Sequence, residues 1–405
     1  MTARRVVVTG QGVISSLGLN AEAHIEALRA GACGIGPIDL IPTENLTIKI
    51  AAEAKAFRGE DYFSRSEITL RDRVTQMATV AAKEAIAQSG AEFGGALGER
   101  TATILGSSMG GQHTQDDNYR LVYGEGKTRV HPFIVPRLMA NAPVSWVSMD
   151  HGLRGAAYSV STACASSNHA IGQAFHLIRS GGADAAITGG AESGLTYGVL
   201  KAWEGLRVMS KSACRPFSKT RDGMVQGEGA AILVLEELEG AVARGATILG
   251  EIVGVGSTAD AGDIVQPSLD GATRAMRLAL SDGSVTPDQI DYINAHGTAT
   301  AMNDRTECAA VRDVFGAHAD GLVISSTKSA HGHCIGAAGA LEMVATLSAL
   351  QGIVPPTVGF EEPDPECDLH VVPNHAEERD VAYAMSNSFA FGGLNAVVLA
   401  KRWDG

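Results

Sequence analysis

A chain of 405 residues with 45% hydrophobic and 19% charged residues is long enough for two or three domain-sized units and too ordinary in composition to be disordered. Its net charge of −13 excludes nucleic acid as the main partner, because phosphate binding needs a broad cationic surface; six scattered cysteines without C-x-x-C spacing offer no zinc or other metal site and point to free thiols in a reducing cytoplasm. No stretch has the apolar length of a signal peptide or a membrane span, and 48 glycines call for the short strand-to-helix turns of an α/β fold.

In chain order, Arg5–Thr9 (RVVVT) reads as a strand buried on both faces and closed by Gly10 and Gly12. These glycines miss the dinucleotide fingerprint, since Ser15 stands where its third glycine belongs. Helical spacing predicts a helix over 73–88, and TATILG predicts a strand running into a small-residue loop around Met109. The apolar stretch 133–149, interrupted by Pro136 and Pro143, predicts a broken helix. A short β-prone run then delivers Cys164 to the first turn of a helix that is apolar nearly all round and is therefore buried between layers. The positive end of that helix would lower the pKa of the thiol, although a lone buried cysteine is more often a small core hydrophobe than a nucleophile.

Between Lys201 and Arg221 the cations Lys201, Arg207, Lys211, Arg215, Lys219 and Arg221 face only Glu204. This basic island on an acidic chain is either a solvated face or a dock for an acidic partner. From Glu251, EIVGVGSTADA echoes RVVVTGQGVISS, and the strand–helix order that follows resembles that of the first half. The echo predicts two halves, 1–249 and 250–405.

Three stretches of the second half carry chemistry. His296 ends a predicted strand in NAHGTAT, where α/β proteins place ligands. Lys328 and His333 lie in SSTKSAHGHCIGAAG, with His331 between them. A buried ammonium there needs a carboxylate, which Glu307 or Asp304 is expected to supply. The turn NSFAFGG sets Phe389 and Phe391 before a Gly-Gly pair and offers backbone N–H groups to an oxyanion.

Taken in order, STACASS, NAHGTAT, STKSAHGHCIGAAG and SNSFAFGG resemble the elongating β-ketoacyl-acyl-carrier-protein synthases (types I and II) of the thiolase superfamily, over essentially the whole chain. KAWEGLRV, SSTKSAHGHC and EPDPECDL are similar to phrases of rhizobial nodulation-type ketosynthases. The resemblance implies a thiolase-like duplicated α/β fold layered α-β-α-β-α, a homodimer without cofactor or metal, and acyl- and malonyl-loaded acyl carrier protein as partner. It implies that Cys164 takes the acyl group, with its own N–H and that of Phe391 as oxyanion donors. His296 and His333 would donate to the malonyl thioester oxygen as carbon dioxide leaves. Lys328 and Glu307, supported by Asp304, match positions that hold the histidines in place. Met109, Ile134, Trp203, Phe389 and Phe391 match residues that line or gate the acyl pocket, and Thr298 and Thr300 match contacts to the pantetheine arm. Lys127, Arg129 and Arg207 match carrier-protein docking positions.

Two departures stand out. Ala390 replaces a glycine common in the gating turn, and DIVQPS is type I-like while GEGA at Gly227 is type II-like, which leaves the type open. Thiolases and chalcone-type synthases have no counterpart of His333, and a silent chain-length partner would lack Cys164. A Cys-His-Asn hydrolase leaves Lys328 and His333 unexplained.

Overall fold

A computed structural model describes residues 3–405. The central-sheet strands of the first half are β1 (Val6–Ile14), β2 (Thr101–Gly106), β3 (Ala157–Val160), β4 (Ala185–Glu192) and β5 (Gly229–Glu237). Those of the second are β6 (Gly250–Ala259), β7 (Tyr292–Asn294), β8 (Val323–Ser325), β9 (His370–Val371), β10 (Tyr383–Ala390) and β11 (Leu394–Lys401). The main helices are α1 (Arg73–Ser89), α2 (Ala142–His151), α3 (Ser166–Arg179), α4 (Tyr197–Leu206), α5 (Leu269–Gly283), α6 (Ala301–Phe315) and α7 (Ala338–Ala349).

All eleven strands join in the order β9-β8-β7-β10-β11-β6-β1-β5-β4-β2-β3. Outward from the centre, β1-β5-β4-β2-β3 is repeated by β6-β11-β10-β7-β8, with the same sequence of two antiparallel and two parallel pairings. The halves meet through a short antiparallel pairing of Val6–Val8 with Gly250–Ile252. Helices α3 and α7 pack against strands of both halves, α1 covers the outside of the first half, and α5 covers the outside of the second. The result is the layering α-β-α-β-α, and α7, buried at every residue, is apolar except for Glu342, Thr346 and Ser348 because no face of it meets water.

The first strand differs from its expected form. It does not close at Gly10 and Gly12 but runs through them to Ile14. These glycines admit α1: a Cβ on Gly10 would sit 2.1 Å from the Ala85 carbonyl oxygen, and one on Gly12 would sit 2.0 Å from that of Ala81. The second half repeats the device, with Gly254 and Gly256 against the Ala279 and Ala275 carbonyls of α5 at 2.4 and 2.0 Å. The predicted helix over 73–88 is α1, started by the Asp72 carboxylate accepting from the Val74 N–H. The broken helix is a short turn at Ile134–Leu138 followed by α2, with Pro143 in its first turn, where the missing N–H costs nothing.

Candidate active site

Cys164 sits in a single 3-10 turn, Ala163–Ala165, that leads into α3. The turn is held open by side chains: the Thr162 N–H donates to Ser166 Oγ at 2.9 Å, and that hydroxyl donates to the Ala163 carbonyl at 2.7 Å. Ala163 has a φ of +48°, a left-handed conformation that the turn imposes at the residue before the sulfur.

His333 Nε2 lies 3.0 Å from Cys164 Sγ. The Ile335 N–H donates to His333 Nδ1 at 3.3 Å, so the ring proton belongs on Nε2 and faces the sulfur. The His333 backbone is clamped to the first half, its N–H donating to the Val225 carbonyl at 2.7 Å and its carbonyl accepting from the Gly227 N–H at 3.0 Å. The ring of His296 stands edge-on to His333 with centroids 5.6 Å apart, and Phe389 packs against it at 6.1 Å. Burial, then the charge of Lys328, hold both imidazoles far below the ordinary histidine pKa, so both are neutral at physiological pH.

Glu307 reaches this centre through the backbone. Its carboxylate accepts from the N–H groups of His296 and Gly297, each at 2.8 Å, and from Asn387 Nδ2 at 3.1 Å. It is not the counter-ion of Lys328, as the sequence led one to expect, and neither is Asp304. The Lys328 ammonium pairs with Glu342 of α7, both side chains being wholly buried. Asp304 instead accepts from the Phe217 N–H at 2.8 Å and lies 3.8 Å from Arg221. The helices divide the acids between them: α7 brings Glu342 to Lys328, while α6 presents Glu307 to the strand end at His296. Glu342 had a signal, as the lone charged residue of the otherwise uncharged helix AGALEMVATLSA.

The expectation of a lowered thiol pKa is corrected. Burial pushes Cys164 up to about 12, against the opposing pull of Lys328 and of the N–H groups of Phe391 and Cys164 itself. Desolvation outweighs the helix terminus because Cys164 is only 6% exposed. The same two N–H groups mark where an oxyanion at this centre would be held.

Cys164, His296, His333, Glu307, Phe389 and Phe391 line one cavity of about 300 Å3. Trp203, Thr298, Thr300 and Arg207 are also in its wall. Trp203 packs in one apolar cluster with Cys164 and stacks on Phe391 at 6.1 Å, so it stands at the sulfur end of the space. Lys328 is outside the wall. Met109 and Ile134, both half-buried, are not in the wall either, since Trp203 and Phe391 occupy the ground beside the sulfur. Lys127 and Arg129 are exposed on the segment that follows Gly124, away from this cavity. Arg221, which the motifs did not single out, lines the cavity nearly buried between Asp304 and Asp364. Among the described residues, Cys164, His296 and His333 are the one group of potential metal ligands whose donor atoms lie within 4.8 Å of one another, so a thiophilic cation would compete for the same atoms as substrate.

The basic island is mostly neutralised. Lys201 pairs with Glu204, Arg215 with Glu361, Lys219 with Glu362, and Arg221 with Asp364. Apart from Glu204, the acids come from 361–364, which the sequence places about 140 residues away. Arg207, at the cavity mouth, and Lys211 have no carboxylate in ion-pair contact among the described residues.

Comparison with known proteins agrees with this geometry. The chain matches the family model for the β-ketoacyl synthase N-terminal domain over residues 3–241 and that for the C-terminal domain over residues 249–361. It is 46% identical over 400 residues to nodulation protein E of Rhizobium sp. (strain N33), covering 98% of this chain and 99% of that protein. It is 41% identical over 409 residues to 3-oxoacyl-[acyl-carrier-protein] synthase 2 of Staphylococcus aureus (strain N315), covering 99% of both. Among solved structures, the ishigamide ketosynthase/chain length factor superposes with a TM-score of 0.95 at 37% identity, covering 99% of this chain and 100% of that one. A type II polyketide synthase acyl-carrier protein in complex with its ketosynthase gives 0.91 at 28% identity, with 100% of both chains covered.

Proposed function

Since this chain belongs to the β-ketoacyl synthase family and is a β-ketoacyl-acyl-carrier-protein synthase, which condenses an acyl chain with malonyl-acyl carrier protein in fatty acid or polyketide-related synthesis, we propose that Cys164 carries the acyl group between the two half-reactions. The observation that supports this reading best is the 3.0 Å approach of His333 Nε2 to Cys164 Sγ, with a second neutral imidazole, His296, beside it.

In the first half-reaction the sulfur attacks the acyl thioester of the carrier protein. The N–H groups of Cys164 and Phe391 receive the developing oxyanion, the pantetheine sulfur leaves, and it takes the proton that the thiol gives up. The exchange consumes no net proton, which suits a thiol whose burial disfavours a free thiolate. In the second, the carbon–carbon bond of malonyl-carrier protein breaks, and carbon dioxide departs. The enolate oxygen accepts from the Nε2–H of His333 and from His296, which are neutral donors and leave the carbanion unprotonated. The carbanion forms the new bond to the acyl carbon, Cys164 leaves as thiolate and regains a proton from water, and the 3-oxoacyl product is two carbons longer.

Glu307 sets the His296 backbone, and the charge of Lys328 adds to the burial that keeps both rings neutral. Thr298 and Thr300 contact the pantetheine arm, Trp203 and Phe389 face the acyl chain, and Phe391 gates the way to Met109 and Ile134. Arg207, at the mouth, docks the acidic carrier protein together with Lys127 and Arg129. We divide the chain into functional halves at 249/250, each supplying part of the centre.

A homodimer and a cytoplasmic setting complete the reading. The edge strand β3 pairs only with β2, and Tyr158 on it is exposed beside a segment that presents Phe133, Val135 and Met139 to solvent. Ser159 Oγ donates to the Ala140 carbonyl, tying that segment to the strand. A second copy adding its own edge would cover the open strand and these side chains together. All six cysteines are free thiols, which suits a reducing compartment, and no helix among the described residues is long and apolar enough to cross a membrane.

Mass spectrometry of the intact protein after incubation with acyl-carrier proteins of graded chain length tests the central claim. An acyl adduct on Cys164, absent in Cys164→Ala, is expected. His333→Ala should still acylate but release carbon dioxide from malonyl-carrier protein about 100-fold more slowly or worse. Normal turnover by either variant refutes the mechanism.

A further inference from the structure

The duplicated fold has two inner helices, and each is opened by the same device. Before α3 the 3-10 turn Ala163–Ala165 begins at Ala163, φ +48°; before α7 the 3-10 turn Ile335–Ala337 begins at Ile335, φ +40°. Cys164 is the middle residue of the first turn, and Gly336 is the middle residue of the second. The backbone N–H of Cys164 belongs to a centre built to receive a transient anion. That of Gly336 is already occupied: it donates to Glu192 Oε2 at 3.2 Å.

Glu192 ends β4 as Ala390 ends β10 in the repeated half. Its side chain is wholly buried. Besides Gly336, its carboxylate accepts from the Ser108 N–H at 2.7 Å and from the Met109 N–H at 3.3 Å. Burial, with a smaller push from the charge of Asp72, raises its pKa to about 7 against the opposing pull of those three N–H groups, and no cation pairs with it. A carboxylate held by backbone N–H donors alone is chemically what a tetrahedral oxyanion would be in the corresponding place. Gly336 must lack a side chain for this, since a Cβ there would lie 2.5 Å from both Glu192 Oε2 and the Ser108 nitrogen. The contacts join two pieces of chain that the reaction needs in register. One is the loop of Met109, whose Cε rests against Gly194; the other is the turn whose Ile335 N–H fixes the His333 tautomer.

We propose that Glu192 is a positioning residue for acyl-chain selection, its carboxylate filling the second half's counterpart of the oxyanion pocket and locking the Met109 loop to the turn that follows His333. This rests on the reading of Cys164 as acyl acceptor and of Met109 as part of the acyl pocket. The side chain touches no substrate; it acts through the two segments it joins.

The test uses Glu192→Gln and Glu192→Ala, with acylation of Cys164 by carrier proteins of graded chain length followed by intact mass. Alkylation of Cys164 by iodoacetamide, which needs no acyl pocket, serves as control. Gln keeps the bulk but turns an NH2 toward one of the three donors, so it should shift the relative rates among chain lengths by about tenfold while leaving alkylation unchanged. Glu192→Ala should lose acylation more deeply and regain it with added formate, whose carboxylate fits the vacated donors, but not with formamide. Wild-type chain-length profiles in both variants overturn the proposal, as does a folded Glu192→Ala that formate does not restore. Should Glu192→Ala fail to fold, the Glu192→Gln profile decides alone. Absence of an acyl adduct in the unaltered protein would instead overturn the reading of Cys164, so the two failures are distinct.

Discussion

The turns Ala163–Ala165 and Ile335–Ala337 open the two inner helices with the same backbone and opposite contents. The first presents a thiol to a cavity, and the second closes on a carboxylate from its own protein. The scaffold around them is symmetric to the level of single contacts, as Gly12 on the Ala81 carbonyl and Gly256 on the Ala275 carbonyl show. The chemistry is not. The first half supplies the sulfur, and the second supplies the imidazoles, the buried ion pair and the Phe391 N–H. A duplicated fold can therefore divide one reaction between copies, because the strand ends and helix starts of both halves converge on the same place.

Acid should break the balance most. His24, held at about 4 by burial, lies in the first half; His296, His331 and His333, held well below the ordinary value by burial first and by the charge of Lys328 as well, lie in the second. Each takes a proton more readily unfolded than folded, so the unfolded chain binds more protons once the pH drops below 6.5 and stability falls with it. The expected slope is about 1.4 kcal/mol per pH unit for each histidine still neutral in the fold. Denaturation curves from neutral pH downward check this, and a flat profile contradicts the burial of these rings as neutral groups.

Next in size is the buried pair. Lys328→Met leaves Glu342 uncompensated and should cost about 3–5 kcal/mol in chemical denaturation. The double variant Lys328→Met/Glu342→Leu should recover most of that stability. It should not recover the pH profile: without the ammonium the imidazoles protonate more easily, so the acid limb of condensation moves to higher pH. An unshifted limb would reduce Lys328 to a structural part.

The glycine pairs test the symmetry itself. Gly12→Ala and Gly256→Ala each force a Cβ to 2.0 Å from a helix carbonyl, and each should destabilise by about 1–3 kcal/mol through displacement of α1 or α5. Clearly unequal losses would show that the two packings are alike only in outline. The smallest effect separates free from paired cations. Arg207→Glu should raise KM for the carrier protein roughly fivefold and leave a small thioester unaffected, whereas Lys219→Glu, whose cation already faces Glu362, should change little. Equal responses would remove the docking role of Arg207.

Much of the site was legible because its residues are tied to local signals. Cys164 follows a β-prone run and opens an apolar helix, His296 ends a buried strand, and NSFAFGG is a glycine turn; each signal is confined to a few neighbours. The echo between Arg5–Ser16 and Glu251–Ala261 also declared the duplication, although the glycines in it proved to be packing contacts inside strands rather than their ends. What escaped were partners. Lys328 chose Glu342 over Glu307 and Asp304, Asn387 joined Glu307, and the basic island met its acids from 361–364.

By itself the sequence determined which groups are present and which element carries each: one thiol at a helix start, two histidines and a lysine at strand ends and turns, and the order in which two similar halves are strung. Only the tertiary structure decided their electrical state. Proximity between groups remote in sequence and exclusion of water exist only once the layers close. Those two quantities put the Cys164 thiol at about 12, keep His296 and His333 neutral, and pair Lys201, Arg215, Lys219 and Arg221 while leaving Arg207 without a carboxylate among the described residues.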